Sequence, residues 1–201
     1  MKKVFLCGEG THDIGGWASS ASWRADDRGR VEPGVAEALM TAQGREGWEI
    51  VGGEPWKNLR GQFAAGSARR GRHRDTQNVL IGALRAEELG ADILVLMRDS
   101  DGDPERAKAV RDGITEANAN ARLCTAGGPA EPCLEAWMLA VAGEHNSQAL
   151  GKTAAQTRCA SVANTRAAMV SLIDARGLAD IPADAVSLRA WLASTDAALA
   201  L

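Results

Sequence analysis

Apolar positions along the chain follow two different periods. Residues 2–8 (KKVFLCG), 93–97 (ILVLM) and 121–126 (ARLCTA) are short, nearly continuous apolar runs, the pattern of parallel strands buried on both faces. Over 76–89 the apolar positions Val79, Leu80, Ala83, Leu84 and Leu89 recur at helical spacing, and Gly90 supplies a C-terminal stop. A shorter helix is expected over 35–43, closed by Gly44, and a short strand over 48–51, closed by Gly52 and Gly53. Pro104 suits the first turn of a helix running to about residue 117. The resulting order, β-α-β-α-β-α-β, predicts an α/β fold: a mostly parallel central sheet of about four strands flanked by helices. Ligand chemistry is then expected at the carboxyl ends of the strands. Beyond it the period stays helical over 135–141, 152–176 and 184–199, broken at Gly177 and Pro182. Residues 1–145 therefore read as one α/β domain and 146–201 as a helical C-terminal extension packed on it. The stretch 11–34, rich in Gly, Ser, Asp and Trp without a period, reads as a long functional loop.

Composition changes this picture in three places. At 201 residues, with 45% hydrophobic and 24% charged side chains, the chain is a globular protein with one principal core, not a disordered one. After Met1 there is no apolar segment of signal-peptide length and no stretch long enough to cross a bilayer, so a cytoplasmic protein without membrane association is expected. Cys7, Cys124, Cys133 and Cys159 show no CxxC spacing and read as free structural thiols. The net charge of -3 gives no global pull toward nucleic acid, yet the stretch 55–74 holds no Asp or Glu and carries Lys57, Arg60, Arg69, Arg70, Arg72 and Arg74. Arginine forks match phosphate oxygens, so Arg70, Arg72, His73 and Arg74 are the candidates for a substrate's phosphates, with Trp48 and Trp56 offered as stacking surfaces for bases. The competing reading is a solvated basic loop.

Two acidic turns follow the two best strands: Gly8-Glu9-Gly10, and Asp99-Ser100-Asp101. On adjacent parallel strands they lie together, and carboxylates so gathered repel one another unless a cation neutralises them. Hard oxygen donors without paired His or Cys point to Mg²⁺ or Mn²⁺, the ions of phosphoryl chemistry. The competing reading of the run DSDGDP is an ordinary surface turn with a helix cap, and Asp103 beside Pro104 is best read as that cap. Glu9, between two glycines directly after a strand, has no such account. His12 and Asp13 follow it within one turn and either face the same cleft, with His12 moving protons near neutral pH, or form a solvent-exposed pair.

Other motifs fail on inspection. DSDGDP begins like a calcium-binding helix–loop–helix segment, but its sixth position is Pro104 and its twelfth is Val110. Gly151-Lys152-Thr153 resembles the end of a phosphate-binding loop, yet Asn146 stands where the first glycine belongs, and the segment reads as a helix start. Asp99-x-Asp101 also resembles the haloacid dehalogenase motif, with Asp103 where Thr or Val is usual, which keeps a phosphatase as a minor alternative.

Gly8-Glu9-Gly10-Thr11 after the first strand and Asp99-x-Asp101 after a later one resemble the two signatures of the TOPRIM domain, shared by topoisomerases, primases and overcoming-lysogenization-defect nucleases. The segment Pro132-Cys133-Leu134-Glu135-Ala136-Trp137 resembles a motif of TOPRIM-like proteins linked to phage defence, so the likeness covers about residues 1–145. The resemblance implies that Glu9 is a general acid or base or an additional metal ligand, that Asp99 and Asp101 hold Mg²⁺ (or Mn²⁺), and that Glu135 is an auxiliary ligand. The implied function is a metal-dependent phosphodiester hydrolase, a nuclease acting on foreign nucleic acid. The alternative is a non-catalytic TOPRIM-like subunit of a multi-protein system, with a protein partner encoded nearby. The insert of roughly ninety residues between the acidic turns departs from the commonest pattern and argues against a simple topoisomerase or primase role.

Overall fold

The computed structural model describes residues 1–17, 30–59 and 73–201. Four strands form one parallel sheet: β1 (Lys2–Gly8), β4 (Trp48–Pro55), β5 (Ile93–Asp99) and β6 (Cys124–Ala130), in spatial order β4-β1-β5-β6. A separate antiparallel pair, β2 (Gly16–Trp17) and β3 (Arg30–Glu32), lies within the segment that sequence reads as a loop. A one-turn helix, α1 (Thr11–Ile14), follows β1 directly.

Strand alternation sorts the apolar side chains into two layers. Val4, Leu6, Ile93, Val95 and Met97 face one core, shared with α2 (Val35–Ala42), α5 (Leu134–Val141), α7 (Arg166–Arg176) and α8 (Val186–Ala200). Phe5, Cys7, Leu94 and Leu96 face the other, covered by α3 (Arg74–Glu88) and α4 (Pro104–Asn120). The chain leaves β1 through α2 to reach β4, then crosses the opposite face through α3 to arrive at β5 on the far side of β1. That reversal makes the gap between the ends of β1 and β5 the switch point at which such sheets bind ligands.

Two strands outrun their expected ends, each at a glycine that is a close-approach position, and of these only Gly52 reads as a stop. In β4 a Cβ on Gly52 would lie 2.9 Å from the Phe5 ring, and the strand continues to Pro55. In β6 Gly127 adopts φ 91°, and a Cβ there would lie 2.1 Å from the Leu96 carbonyl oxygen, so the strand runs on through Gly128 and Pro129. The single helix expected over 152–176 is two, α6 (Lys152–Cys159) and α7, the second capped by Thr165, whose hydroxyl accepts from the Ala168 amide at 3.2 Å. All four cysteines are free. No helix among the described residues is long and apolar enough to cross a membrane.

β6 is an edge strand, and its outward amides are occupied. The Thr125 amide donates to Asn118 Oδ1 (2.7 Å), whose Nδ2 returns a bond to the Thr125 carbonyl (2.9 Å). The Gly127 amide donates to Ser194 Oγ (3.1 Å) and the Glu131 amide to Ser187 Oγ (3.3 Å), while Pro129 between them has no N–H. Helix α8 thus lies along this edge, and its Trp191 indole donates to the Leu96 carbonyl at 2.7 Å.

Candidate metal centre

The site begins with the two strand ends. A Cβ on Gly8 would sit 2.5 Å from Asp13 Cβ, so glycine lets α1 fold back tightly against β1. Asp13, only 6% exposed, then accepts with Oδ2 from the amide of Glu9, in a short bond, and from that of Gly10 (3.2 Å), fixing the turn that carries Glu9. On β5 the pleat sends consecutive side chains to opposite faces. Asp99 follows Met97 toward the α5 and α7 side, while Arg98 follows Leu96 toward α3 and α4. Asp99 Oδ1 accepts from the first helical amide of α5, Leu134 N, at 2.9 Å, which places Glu135 beside it.

Glu9, Asp13, Asp99 and Glu135 line one cleft of about 310 Å³, together with His12, Lys152, Gln156 and Asn164. Asp13 is pushed up to about 8, first by burial and then by the neighbouring Asp99 charge. Asp99 is pushed up to about 6, again first by burial, with Glu135 and Asp101 adding repulsion that the Leu134 amide and Lys152 oppose. Gln156 Nε2 donates to Glu135 Oε1 at 3.4 Å, whereas Glu135 Oε2 is buried with no hydrogen-bond partner. The Cys133 thiol beside them is pushed up to about 12 by burial, so the donors offered by this cleft are carboxylate oxygens. Hard oxygen donors with one buried oxygen orphaned suit Mg²⁺ or Mn²⁺ by their chemistry, though not by their spacing here.

Protein cations are interleaved with these acids. Arg98, 7% exposed, makes a short ion pair with Glu9 Oε1, and its guanidinium lies over the Trp56 ring at 5.6 Å. Lys152 Nζ bridges Asp99 Oδ2, at 3.7 Å, and Asp101 Oδ1, in a short contact. Burial alone raises Asp101, but the hydrogen bond and charge of Lys152, with those of Arg106, outweigh it and hold the carboxyl below its ordinary range. Among the described residues no three His, Cys, Asp or Glu side chains stand close enough together to ligate one ion. Glu9 and Asp101 are drawn instead toward Arg98 and toward the Lys152–Arg106 pair.

The structure distributes the sequence candidates unevenly. Glu9, Asp99 and Glu135 share the cleft; Asp101, at φ 56°, does not line it. Asp103 caps α4, its Oδ1 accepting from Glu105 N (2.9 Å) and Arg106 N (3.3 Å). Of the phosphate candidates, Arg70 and Arg72 lie outside the described residues. His73 and Arg74 are exposed at the start of α3, where His73 Nδ1 accepts from the Asp75 amide at 3.1 Å. Neither indole offers a stacking surface here. Trp56 is buried beneath Arg98, and Trp48 sits at the opposite end of the sheet, its Nε1 donating to the Arg45 carbonyl at 2.9 Å.

Arg98, Arg106 and Gln156 were not singled out by sequence, Lys152 only in a motif that was set aside, and Asp13 only as a neighbour. One signal was present: an arginine at the end of an apolar strand is buried and needs a charged partner, which here is the exposed Glu9. Lys152 arrives from a segment remote in sequence, met there only in the phosphate-loop look-alike that fails at Asn146. Comparison with protein-family models, with curated proteins and with solved structures finds no match for this chain.

Proposed function

We propose that the chain is a Mg²⁺- or Mn²⁺-dependent phosphodiester hydrolase of TOPRIM-like type, a nuclease acting on foreign nucleic acid. What supports this most is the meeting of Glu9, Asp13, Asp99 and Glu135 around one cleft at the sheet's switch point, with one Glu135 oxygen buried and unpartnered. Asp99 is the central ligand in this reading, flanked by Glu9 and Glu135, and Asp101 joins it on leaving Lys152. A bound divalent ion supplies the polarisation of a phosphoryl oxygen and a more acidic water. Asp13 keeps the Glu9 turn in place through its two amide contacts. Lys152, once exchanged from the aspartates, presents an ammonium to the charge developing on the phosphate. His12 lines the same cleft. Arg70, Arg72, His73 and Arg74 remain the proposed contacts to flanking phosphates.

Calorimetric titration of Mg²⁺ into the full chain, with cleavage assays on single- and double-stranded DNA and RNA, tests the proposal. Absence of both binding and cleavage would sink it. The pH dependence is specific. Asp99, at about 6, must lose its proton to hold the ion, so Mg²⁺ affinity should rise with pH up to about 6 and level off above it. Asp99 and Asp13 are both raised from 3.8, so the metal-free fold should lose stability as pH rises from about 4, up to about 6 for Asp99 and up to about 8 for Asp13, and Mg²⁺ should restore more above that rise. Proton release on binding, measured in buffers of different ionisation enthalpy, checks the sign.

One observation favours a second reading, a non-catalytic subunit that binds nucleic acid or a protein partner encoded nearby. Arg98, Lys152 and Arg106 already neutralise Glu9, Asp99 and Asp101 without any ion. Nucleic-acid binding indifferent to Mg²⁺ is the result that reading expects.

A further inference from the structure

The acidic turn is held from outside the cleft by one arginine. Arg106, in the first turn of α4, gives Nη1 to Asp101 Oδ2 in a short contact and turns Nε toward Asp75 Oδ2 at 3.4 Å. Asp75 is itself fixed: it is buried at the start of α3, and its Oδ1 accepts from Trp56 Nε1 at 3.1 Å. The brace therefore runs from Trp56 through Asp75 to Arg106, and its free end is the carboxylate that fails to join the others. Asp101 and Gly102, at φ 56° and 75°, are the central pair of a tight turn that the Asp103 amide closes on the Ser100 carbonyl at 3.0 Å. Arg106 and Lys152 hold the Asp101 carboxylate, one on each oxygen.

Arg106 is nevertheless reachable, since its side chain is 26% exposed. Guanidinium forms parallel hydrogen bonds with phosphate as readily as with carboxylate, and a phosphate brings more negative charge to it. We propose that Arg106 recognises a phosphate group of the substrate, and that the phosphate, by replacing Asp101 on the guanidinium, releases Asp101 to the cation beside Asp99. This inference rests on the metal-dependent reading above and adds the residue that couples ion to substrate. The two ligands then bind cooperatively: each favours the state in which Asp101 has left Arg106, and the coupling is equal in both directions.

The probe is thymidine 3′,5′-bisphosphate, a minimal nucleotide with two phosphate groups. Mg²⁺ is titrated into the full chain by calorimetry with and without it, a blank titration removing the nucleotide's own affinity for the ion. In the wild-type chain the bisphosphate should tighten Mg²⁺ binding by at least about fivefold, the lower end of usual coupling. Arg106→Gln should bind Mg²⁺ more tightly than wild type without nucleotide, and the bisphosphate should no longer change that affinity. Asp75→Asn keeps an acceptor for Trp56 while removing the charge that braces Arg106, and should move Mg²⁺ affinity in the same direction by less. It carries the test alone if Arg106→Gln does not fold. Wild type that binds Mg²⁺ with no response to the bisphosphate, or variants whose metal affinity is unchanged, would overturn the inference and leave the metal reading standing. Wild type that binds no Mg²⁺ would remove both.

Discussion

Asp99→Asn should lose Mg²⁺ binding, and with it any cleavage, while leaving the fold intact. Asp99 ends β5 with Oδ1 on the Leu134 amide at 2.9 Å and Oδ2 facing Lys152 at 3.7 Å. The amide side chain retains an oxygen for Leu134 and the same outline, so the junction between β5 and α5 survives. The charge does not survive, and a hard divalent ion depends on it. Residues that only orient a metal ligand are worth about 10- to 100-fold in metal affinity, so a central ligand should cost more than about 100-fold. The stability cost should stay within about 1 kcal/mol, because the raised value of about 6 marks ionised Asp99 as unfavourable to the fold above that pH. Calorimetry and a denaturant midpoint measured on one preparation separate the two effects. A variant that unfolds would reassign Asp99 to structure.

The largest stability effect should come from Trp191→Ala, at about 3–5 kcal/mol for an indole removed from a packed core. Trp191 is fully enclosed between α8 and the sheet and meets Trp137 at 5.9 Å between ring centroids, tilted by 59°. Its Nε1 bond to the Leu96 carbonyl ties the last helix to a central strand next to the site. Trp191→Phe keeps most of the buried area but removes that donor, and should cost about 1–3 kcal/mol for a buried carbonyl left without it. Urea midpoints at unchanged slope read both values. A loss below about 1 kcal/mol for the alanine variant would mean that α8 is not part of the cooperative core.

How much of this the sequence disclosed differs between backbone and site. The runs VFLC and ILVLM located two central strands because a parallel strand buried on both faces admits little but apolar residues. Helix α3 was legible from its period and its terminal glycine, and Asp103 from its place before a proline. The strand end was not legible at Gly52, since a glycine that stops a strand and one that admits a close neighbour look alike until the neighbour is known. In the site, strand-end position led to Glu9 and Asp99, whereas Glu135 was indicated only by the resemblance of its motif. The ion pairs of Lys152 with Asp101 and of Arg106 with Asp75 join residues tens of positions apart. Local pattern says nothing about which charge a long side chain will meet across a fold.

The side-chain bonds along β6 have a consequence for assembly. An exposed outer strand is a template on which another chain can extend the sheet, and here Asn118, Ser194, Ser187 and Pro129 leave no amide of that row to copy. A partner approaching from this side must read helix surface, since strand addition has nothing to grip. The same arrangement makes α8 a guard against misassembly. A fluctuation that lifts the helix uncovers a ready nucleus for aggregation, so the chain's tolerance of heat should follow the attachment of its last fifteen-residue helix more closely than the strength of the sheet.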